Sequence, residues 1–369
     1  MDKSQTKAQC PRTYAFKRRH YKVVKELGDG MNDVAFLCRE ASRENGRTIV
    51  AKCSMLPEHK VDIFHSDGNP KPMKELRVIR ELHQRKETEK PQNDLACLLI
   101  EDLGFQYVQD PTSKTGNMFY KVTFWPIYNG GACNQWGMSA ESYYAPPVSV
   151  VARMIHQVLG TLQWVYSLPF TEDVTEFKYG APPGYVPKEP CKTAILYHGD
   201  LHFGNIFMHF PGWDSDKEKP SPPDFYIADW EASSKVDPKD VGKMAHRKGP
   251  LYDLDQFHVN LNNVTNFLQG GLSGKDPEAY QFPEKNLIWD KVDSLSMNLG
   301  RLIAQAKKSN TVPDMSRIIQ EAKELEAMTD MTENMDLFKY THATKVWFDF
   351  YQDRYFHATK GCGFPAYPL

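Results

Sequence analysis

The chain lacks any apolar run of membrane-spanning length. Its longest apolar stretches fall well short of the roughly 20 residues that such a span needs. It also lacks a surplus of charge: 45 lysines and arginines stand against 47 aspartates and glutamates, a formal net charge of −2 at pH 7. That balance gives no global pull toward nucleic acid or an anionic membrane, and neither is expected as a partner. Cysteine is sparse and unpatterned. The seven residues, Cys10, Cys38, Cys53, Cys97, Cys133, Cys191 and Cys362, are odd in number, and no pair has zinc-ribbon or redox-dithiol spacing. Free thiols in a reducing compartment are therefore expected, with the cytoplasm as the location. No apolar run follows the charges of the opening segment, so no secretory leader is expected, and the cluster Lys17, Arg18, Arg19 and His20 reads as a solvated face.

What is present suits two packed units. The chain has 369 residues, 41% hydrophobic and 25% charged, ample for a sizeable core. The first third reads as strands plus one helix. Strands are expected at 21–26, 34–39 and 48–53, with Asn45-Gly46 as a hairpin turn and Lys52 near the end of the third. Helical periodicity runs from Pro72 to Arg85. Two further strands are expected at 95–100 and 119–127, joined by a polar loop over 109–117.

The character then changes. Tyr128-Asn129-Gly130-Gly131 reads as a flexible connector. A long amphipathic helix follows over 149–168, with Val151, Met154, Ile155, Val158, Leu162 and Val165 on its apolar face. Short apolar runs at 193–197 and 225–228 each lead into a polar motif, and the chain is mostly helical from Leu251 onward. The expectation is an α+β chain: a small strand-rich lobe over 1–128 and a larger helical lobe over 129–369.

The polar motifs carry the chemistry. In His198-Gly199-Asp200-Leu201-His202-Phe203-Gly204-Asn205, Asp200 and Asn205 stand five apart on a loop leaving a strand. Asp200 can orient a hydroxyl or accept its proton, and Asn205 offers a carbonyl oxygen to a metal. In Ile227-Ala228-Asp229-Trp230-Glu231 a short apolar strand ends in an acid. An aspartate there is costly unless paired or metal-bound, which points Asp229 toward Mg²⁺. The bland alternatives are turn-capping Asx residues, a strand-edge lysine at 52 and a packing role for His202. Joint occurrence in one order favours the functional reading.

The strings HGDLHFGN and IADWE resemble the aminoglycoside phosphotransferase and choline kinase group of the protein-kinase superfamily. The resemblance runs from Tyr21 to about Asn263 and is specific at these two motifs. It implies a protein-kinase-like two-lobed fold, with an antiparallel-sheet N-lobe and a helical C-lobe. It also implies ATP and Mg²⁺ as cofactors, Asp200 as catalytic base, and Asn205 and Asp229 as metal ligands. Gly28 and Gly30 resemble the first half of a glycine-rich loop over the phosphates, although Asp33 stands where a third glycine is usual. Val50-Ala51-Lys52 resembles the strand-lysine motif, which places Lys52 on the phosphates with a helix glutamate as ion-pair partner. Glu75 fits that role better than Glu81. Asp253 resembles the helix aspartate that braces the catalytic loop, with Asp255 as the alternative, and His198 is expected to bond backbone as structural support.

Two departures set the chain apart from protein kinases. His202 replaces the usual lysine, and the short interval from Asp229 to Asp253 contains no A-P-E motif. Both favour a small hydroxyl-bearing substrate over a protein. The alternatives kept open are an atypical protein serine/threonine kinase and a nucleotide-binding pseudokinase scaffold. The Pro-rich stretch 211–223 reads as a surface insertion. The aromatics Trp125, Tyr128, Trp136, Tyr143 and Tyr144, and those over 340–356, read as core or pocket wall.

Overall fold

Alternating apolar and polar residues along the first third build one antiparallel sheet. The computed structural model describes residues 10–29, 33–42, 47–56, 73–88, 99–110, 119–128, 131–136, 148–170, 194–209, 223–242, 249–271 and 285–328. The strands are β1 (Thr13–Phe16), β2 (Arg19–Asp29), β3 (Asp33–Glu40), β4 (Thr48–Leu56), β5 (Gly104–Gln109) and β6 (Phe119–Trp125), in the order β1-β2-β3-β4-β6-β5. The pleat sends Val34, Phe36, Ile49, Ala51, Cys53, Tyr120, Val122 and Phe124 into one core cluster. The same period of two puts Asp33, Lys52, Ser54, Lys121 and Thr123 together on the opposite face.

The sheet curls strongly. Phe16 of β1 stacks on Phe124 of β6 with ring centroids 4.2 Å apart. Its ring also covers Gly104 at the start of β5, where a Cβ would stand 2.8 Å away. Gly104 has φ +138°, so only glycine suits the place on both counts.

One strand differs from expectation. Leu99 makes a single parallel bridge to Ile227, and the strand that pairs with β6 is β5, over residues expected to precede the connecting loop. The physical reason lies in burial. Leu99 and Ile100 pack into the larger core beside Ile227, whereas β5 is half-buried and gains its partner at the sheet edge. The hairpin strand β1 was not expected at all. Residues 95–98, 111–118 and Asn45-Gly46 lie outside the described residues, as do Gly30, Asn129, Gly130, Tyr143, Tyr144, 211–222 and 340–356.

Helices dominate the rest of the described residues. They are α1 (Lys74–Thr88), α2 (Val148–Ser167), α3 (Pro250–Gly271), α4 (Lys285–Ser309) and α5 (316–328). Two small sheets lie among them. One has the order β10-β9-β7, from β7 (Gly131–Ala132), β9 (Ile206–His209) and β10 (Asp224–Ile227). The other pairs β8 (Ile195–Tyr197) with β11 (Ser234–Val236). Leu76, Val78, Ile79 and Leu82 of α1 share their core with the buried face of α2, with β8 to β10 and with α3. The architecture is mixed α/β: an antiparallel sheet first, helices later.

Side-chain bonds fix where β10 begins. Arg153 of α2 donates to Asp224 at 2.8 Å and to Glu326 of α5 at 2.7 Å, and Gln157 donates to Asp224 while accepting from the Phe225 amide. Tyr128 packs 4.6 Å from Tyr226 and its hydroxyl accepts from the Glu101 amide, so this aromatic is a wall of the core. Trp125 is buried and donates to Thr123 at 2.9 Å. Cys10, Cys38, Cys53 and Cys133 are buried free thiols. Among the described residues no helix is long and apolar enough to cross a membrane.

Candidate active site

Two strands end side by side, β8 at Tyr197 and β10 at Ile227, and each hands the chain to a polar motif. The first begins with a buried histidine. His198 Nε2 donates to the Ala228 carbonyl at 2.7 Å, and Nδ1 accepts from the Asp200 amide at 3.2 Å, a pattern that assigns the neutral Nε2–H tautomer. Burial pushes its pKa down to about 4. The next residue, Gly199, has φ +86°, and a Cβ there would stand 2.5 Å from the Ala232 carbonyl oxygen.

Asp253, in the first turn of α3, is fully buried beneath this segment. It accepts from the His198 amide at 2.6 Å, the Gly199 amide at 2.8 Å and the Tyr166 hydroxyl at 3.3 Å. Burial pushes its carboxyl up to about 7, against the pull of those donors. Asp255 has a different partner, Lys307 of α4. The backbone leading to Asp200 is thus held from two sides, by Asp253 and by the His198 ring.

Asp200 itself is exposed, with His202 Nε2 3.6 Å from its carboxylate. Asn205 is buried and turns its amide nitrogen onto the Asp200 carbonyl at 2.8 Å. Its Oδ1 accepts no hydrogen bond among the described residues.

Asp229 follows β10 in the left-handed region, φ 62° and ψ 54°, unusual for a residue other than glycine and tolerated best by Asp and Asn. Trp230 fixes the turn beyond it. Its indole donates to the Ile227 carbonyl at 3.2 Å, and its ring stands edge-on to His198 at 4.7 Å.

The sheet meets these motifs through Lys52. Its ammonium donates to Asp229 Oδ1 at 2.7 Å and lies 3.2 Å from Asp33 Oδ2. Burial opposes its charge, but Glu75, Asp229 and Asp33 outweigh that and hold its pKa above the ordinary lysine value. Asp229 shows the converse. Burial would raise its carboxyl, and the charge and hydrogen bond of Lys52 bring it below the usual range. Asp33 also accepts from the Ser54 hydroxyl.

Glu75, the acid expected to partner Lys52, acts on it as a nearby charge rather than through a close contact. It is buried in the first turn of α1, and its Oε2 has no hydrogen-bond partner. Burial raises the pKa of Glu75 to about 7 against the pull of the Lys52 and Lys121 charges, while Lys52 makes its close contacts with Asp229 and Asp33, the two acids that keep solvent. Single carboxylate oxygens of Glu75, Asp229 and Glu231 lie within 4.8 Å of one another. Lys121 of β6, nearly buried, donates to Glu231 at 2.7 Å.

The structure therefore gathers Lys52, Glu75, Asp229 and the loop 198–205 around one place. Gly28 lies on β2, where an added Cβ would meet no atom within 4 Å, and Gly30 lies outside the described residues. Lys121 and Glu231 carried no role in the sequence reading. The signal for Lys121 was a lone lysine in the apolar strand Phe-Tyr-Lys-Val-Thr-Phe-Trp, and Glu231 stood inside the second motif.

Neither a family model nor a curated protein matches the chain. Among solved structures it is similar to one described as the crystal structure of a BubR1 kinase domain, at 11% identity and a TM-score of 0.41, covering 86% of this chain and 89% of that one. At that score the similarity carries no functional weight.

Proposed function

We propose that the chain is an ATP- and Mg²⁺-dependent phosphotransferase of two-lobed, protein-kinase-like build, moving the γ-phosphate of ATP to a hydroxyl of a small molecule. The observation that carries this reading is the meeting of Lys52 from the sheet with Asp229 from the second motif, beside a braced loop that presents Asp200. The donors suit the group: Asn205 Oδ1 and the Asp229 carboxylate are hard oxygens of the kind Mg²⁺ prefers. Bound there, Mg²⁺ would supply charge neutralisation on the phosphates.

The chain's own residues take the remaining parts. Lys52 contacts the phosphates, and the open space at Gly28 leaves room for them. Asp200, exposed on its loop, orients the acceptor hydroxyl and takes its proton. His198 and Asp253 act on that loop through backbone bonds. His202 and the short interval from Asp229 to Asp253 support a small acceptor over a protein. One observation favours a second reading, a nucleotide-binding scaffold: Asp33 already holds Lys52 at 3.2 Å.

The test is incubation with γ-labelled ATP, Mg²⁺ and a cell extract, with Asp200→Ala as the blank. Label in the metabolite fraction supports the proposal and identifies the acceptor. Label in protein alone points to an atypical protein kinase. Bound ATP with no label transferred leaves the scaffold. Asp229→Asn, which keeps a residue suited to the left-handed backbone, should lower turnover by orders of magnitude and leave folding intact. Unchanged turnover in that variant removes Asp229 from the chemistry.

A further inference from the structure

Around the Lys52–Asp229 contact, the described residues supply four carboxylates and two ammonium groups. The acids are Asp33, Glu75, Asp229 and Glu231, and the cations are Lys52 and Lys121. The cations are committed. Lys52 bonds Asp229 and Asp33, and Lys121 bonds Glu231. Glu75 is left over. It is 2% exposed, and its Oε2 has no hydrogen-bond partner although it is closed off from water. A carboxylate with no hydrogen bond to that oxygen in such a place is costly. The N-terminus of α1 eases that cost only in part, since a helix dipole is worth about 0.3–1 kcal/mol.

Position turns this cost into a prediction of what fits. One oxygen each from Glu75, Asp229 and Glu231 lies within 4.8 Å of the others. Oxygens sharing one divalent cation, at bond lengths of about 2.0–2.6 Å, stand at most about 4–5 Å apart. A carboxylate has two oxygens, so Asp229 and Glu231 can keep their lysines and still offer a ligand. With all four acids ionised, the six groups carry a net charge of −2, the charge that one divalent ion cancels.

We infer that Glu75, Asp229 and Glu231 form a divalent-cation site between the first turn of α1 and the turn after β10, occupied without nucleotide. The site shares Asp229 with the phosphotransfer reading and goes beyond it, because Glu75 and Glu231 hold no role there and Asn205 has none here. An ion in this place ties α1 to the Asp229 turn, and so sets the helix against the motif before any nucleotide arrives.

The experiment uses the full chain and Mn²⁺ alone, with free Mn²⁺ followed by electron paramagnetic resonance. Wild type is expected to bind one Mn²⁺ without nucleotide. Glu231→Gln, at a half-exposed position, should weaken binding at least tenfold, and Glu75→Gln should do the same. Asn205→Ala should leave nucleotide-free binding unchanged. Equal binding in wild type and Glu231→Gln overturns the inference, as does a loss in Asn205→Ala as large as in Glu75→Gln. So does absence of Mn²⁺ binding to the wild type. The outcomes separate from those of the proposed activity. Mn²⁺ bound through Glu75 and Glu231 in a protein that transfers no phosphate sinks the activity and keeps the site. Transfer with no nucleotide-free Mn²⁺ does the reverse.

Discussion

Lys52 and Asp229 stand 177 residues apart in the chain and 2.7 Å apart in space. Through that contact the antiparallel sheet and the motif after β10 act on one place. The pair is also shared, because Asp33 approaches the same ammonium from β3.

Asp33 therefore competes with any phosphate for Lys52. Partly exposed pairs of this kind are worth about 1 kcal/mol or less, a factor of about five in an equilibrium. Asp33→Asn is expected to lower KM for ATP by up to about fivefold with kcat little changed. Steady-state kinetics checks this, and a raised KM would show that Asp33 helps to hold the nucleotide.

Asp253 and Asp255 are two residues apart and face different tasks. Asp253→Asn keeps the size but weakens the acceptor for two amides, and is expected to cost about 1–3 kcal/mol in urea unfolding together with most of the activity. Asp255→Asn gives up a partly exposed pair with Lys307 and should cost about 1 kcal/mol or less, with activity retained. Equal losses in the two variants would contradict the assignment of Asp253 as the brace.

Two glycines give opposite expectations. Gly199→Ala adds a Cβ 2.5 Å from a backbone oxygen at φ +86° and should destabilise by about 2–4 kcal/mol. Gly28→Ala meets nothing within 4 Å and should leave the melting temperature within a few degrees of wild type. Thermal unfolding of both variants tests the comparison.

His198 is neutral and buried, with its pKa pushed from the ordinary 6.5 to about 4. The unfolded chain takes up a proton between those values while the folded one does not. Stability is therefore retained above about pH 6.5 and falls as the pH drops toward 4, by up to about 3 kcal/mol at about 1.4 kcal/mol per pH unit. Denaturant unfolding across that window should show a flatter pH dependence in His198→Asn. An unchanged slope would mean that other groups carry the acid sensitivity.

Much of the local structure was legible because it follows from period and turn chemistry. The apolar stripe of α2 and the alternation in β3 and β4 each dictate one kind of element. β5 was misplaced because a buried apolar run at Leu99 looks like a strand whether or not it finds a partner, and partners are a matter of the whole sheet. The short β9 between the two motifs left no period long enough to read.

The site divides along the same line. His198, Asp200, Asn205 and Asp229 stand in two short motifs, and residue type and spacing alone marked them. The choice of Asp253 over Asp255 as brace depended on which of them α3 turns toward the loop, which packing decides. The partner of Lys52 was likewise beyond the sequence. It depends on which acids reach the ammonium once the sheet and helices pack: Asp229 and Asp33 bond it, while the buried Glu75 acts only as a nearby charge. Sequence by itself determined which chemical groups the protein has and which local turns carry them. Only the tertiary structure decided which of those groups share a charge, because the energies of ion pairs are set by distance and desolvation, and both arise when the sheet and the helices come together.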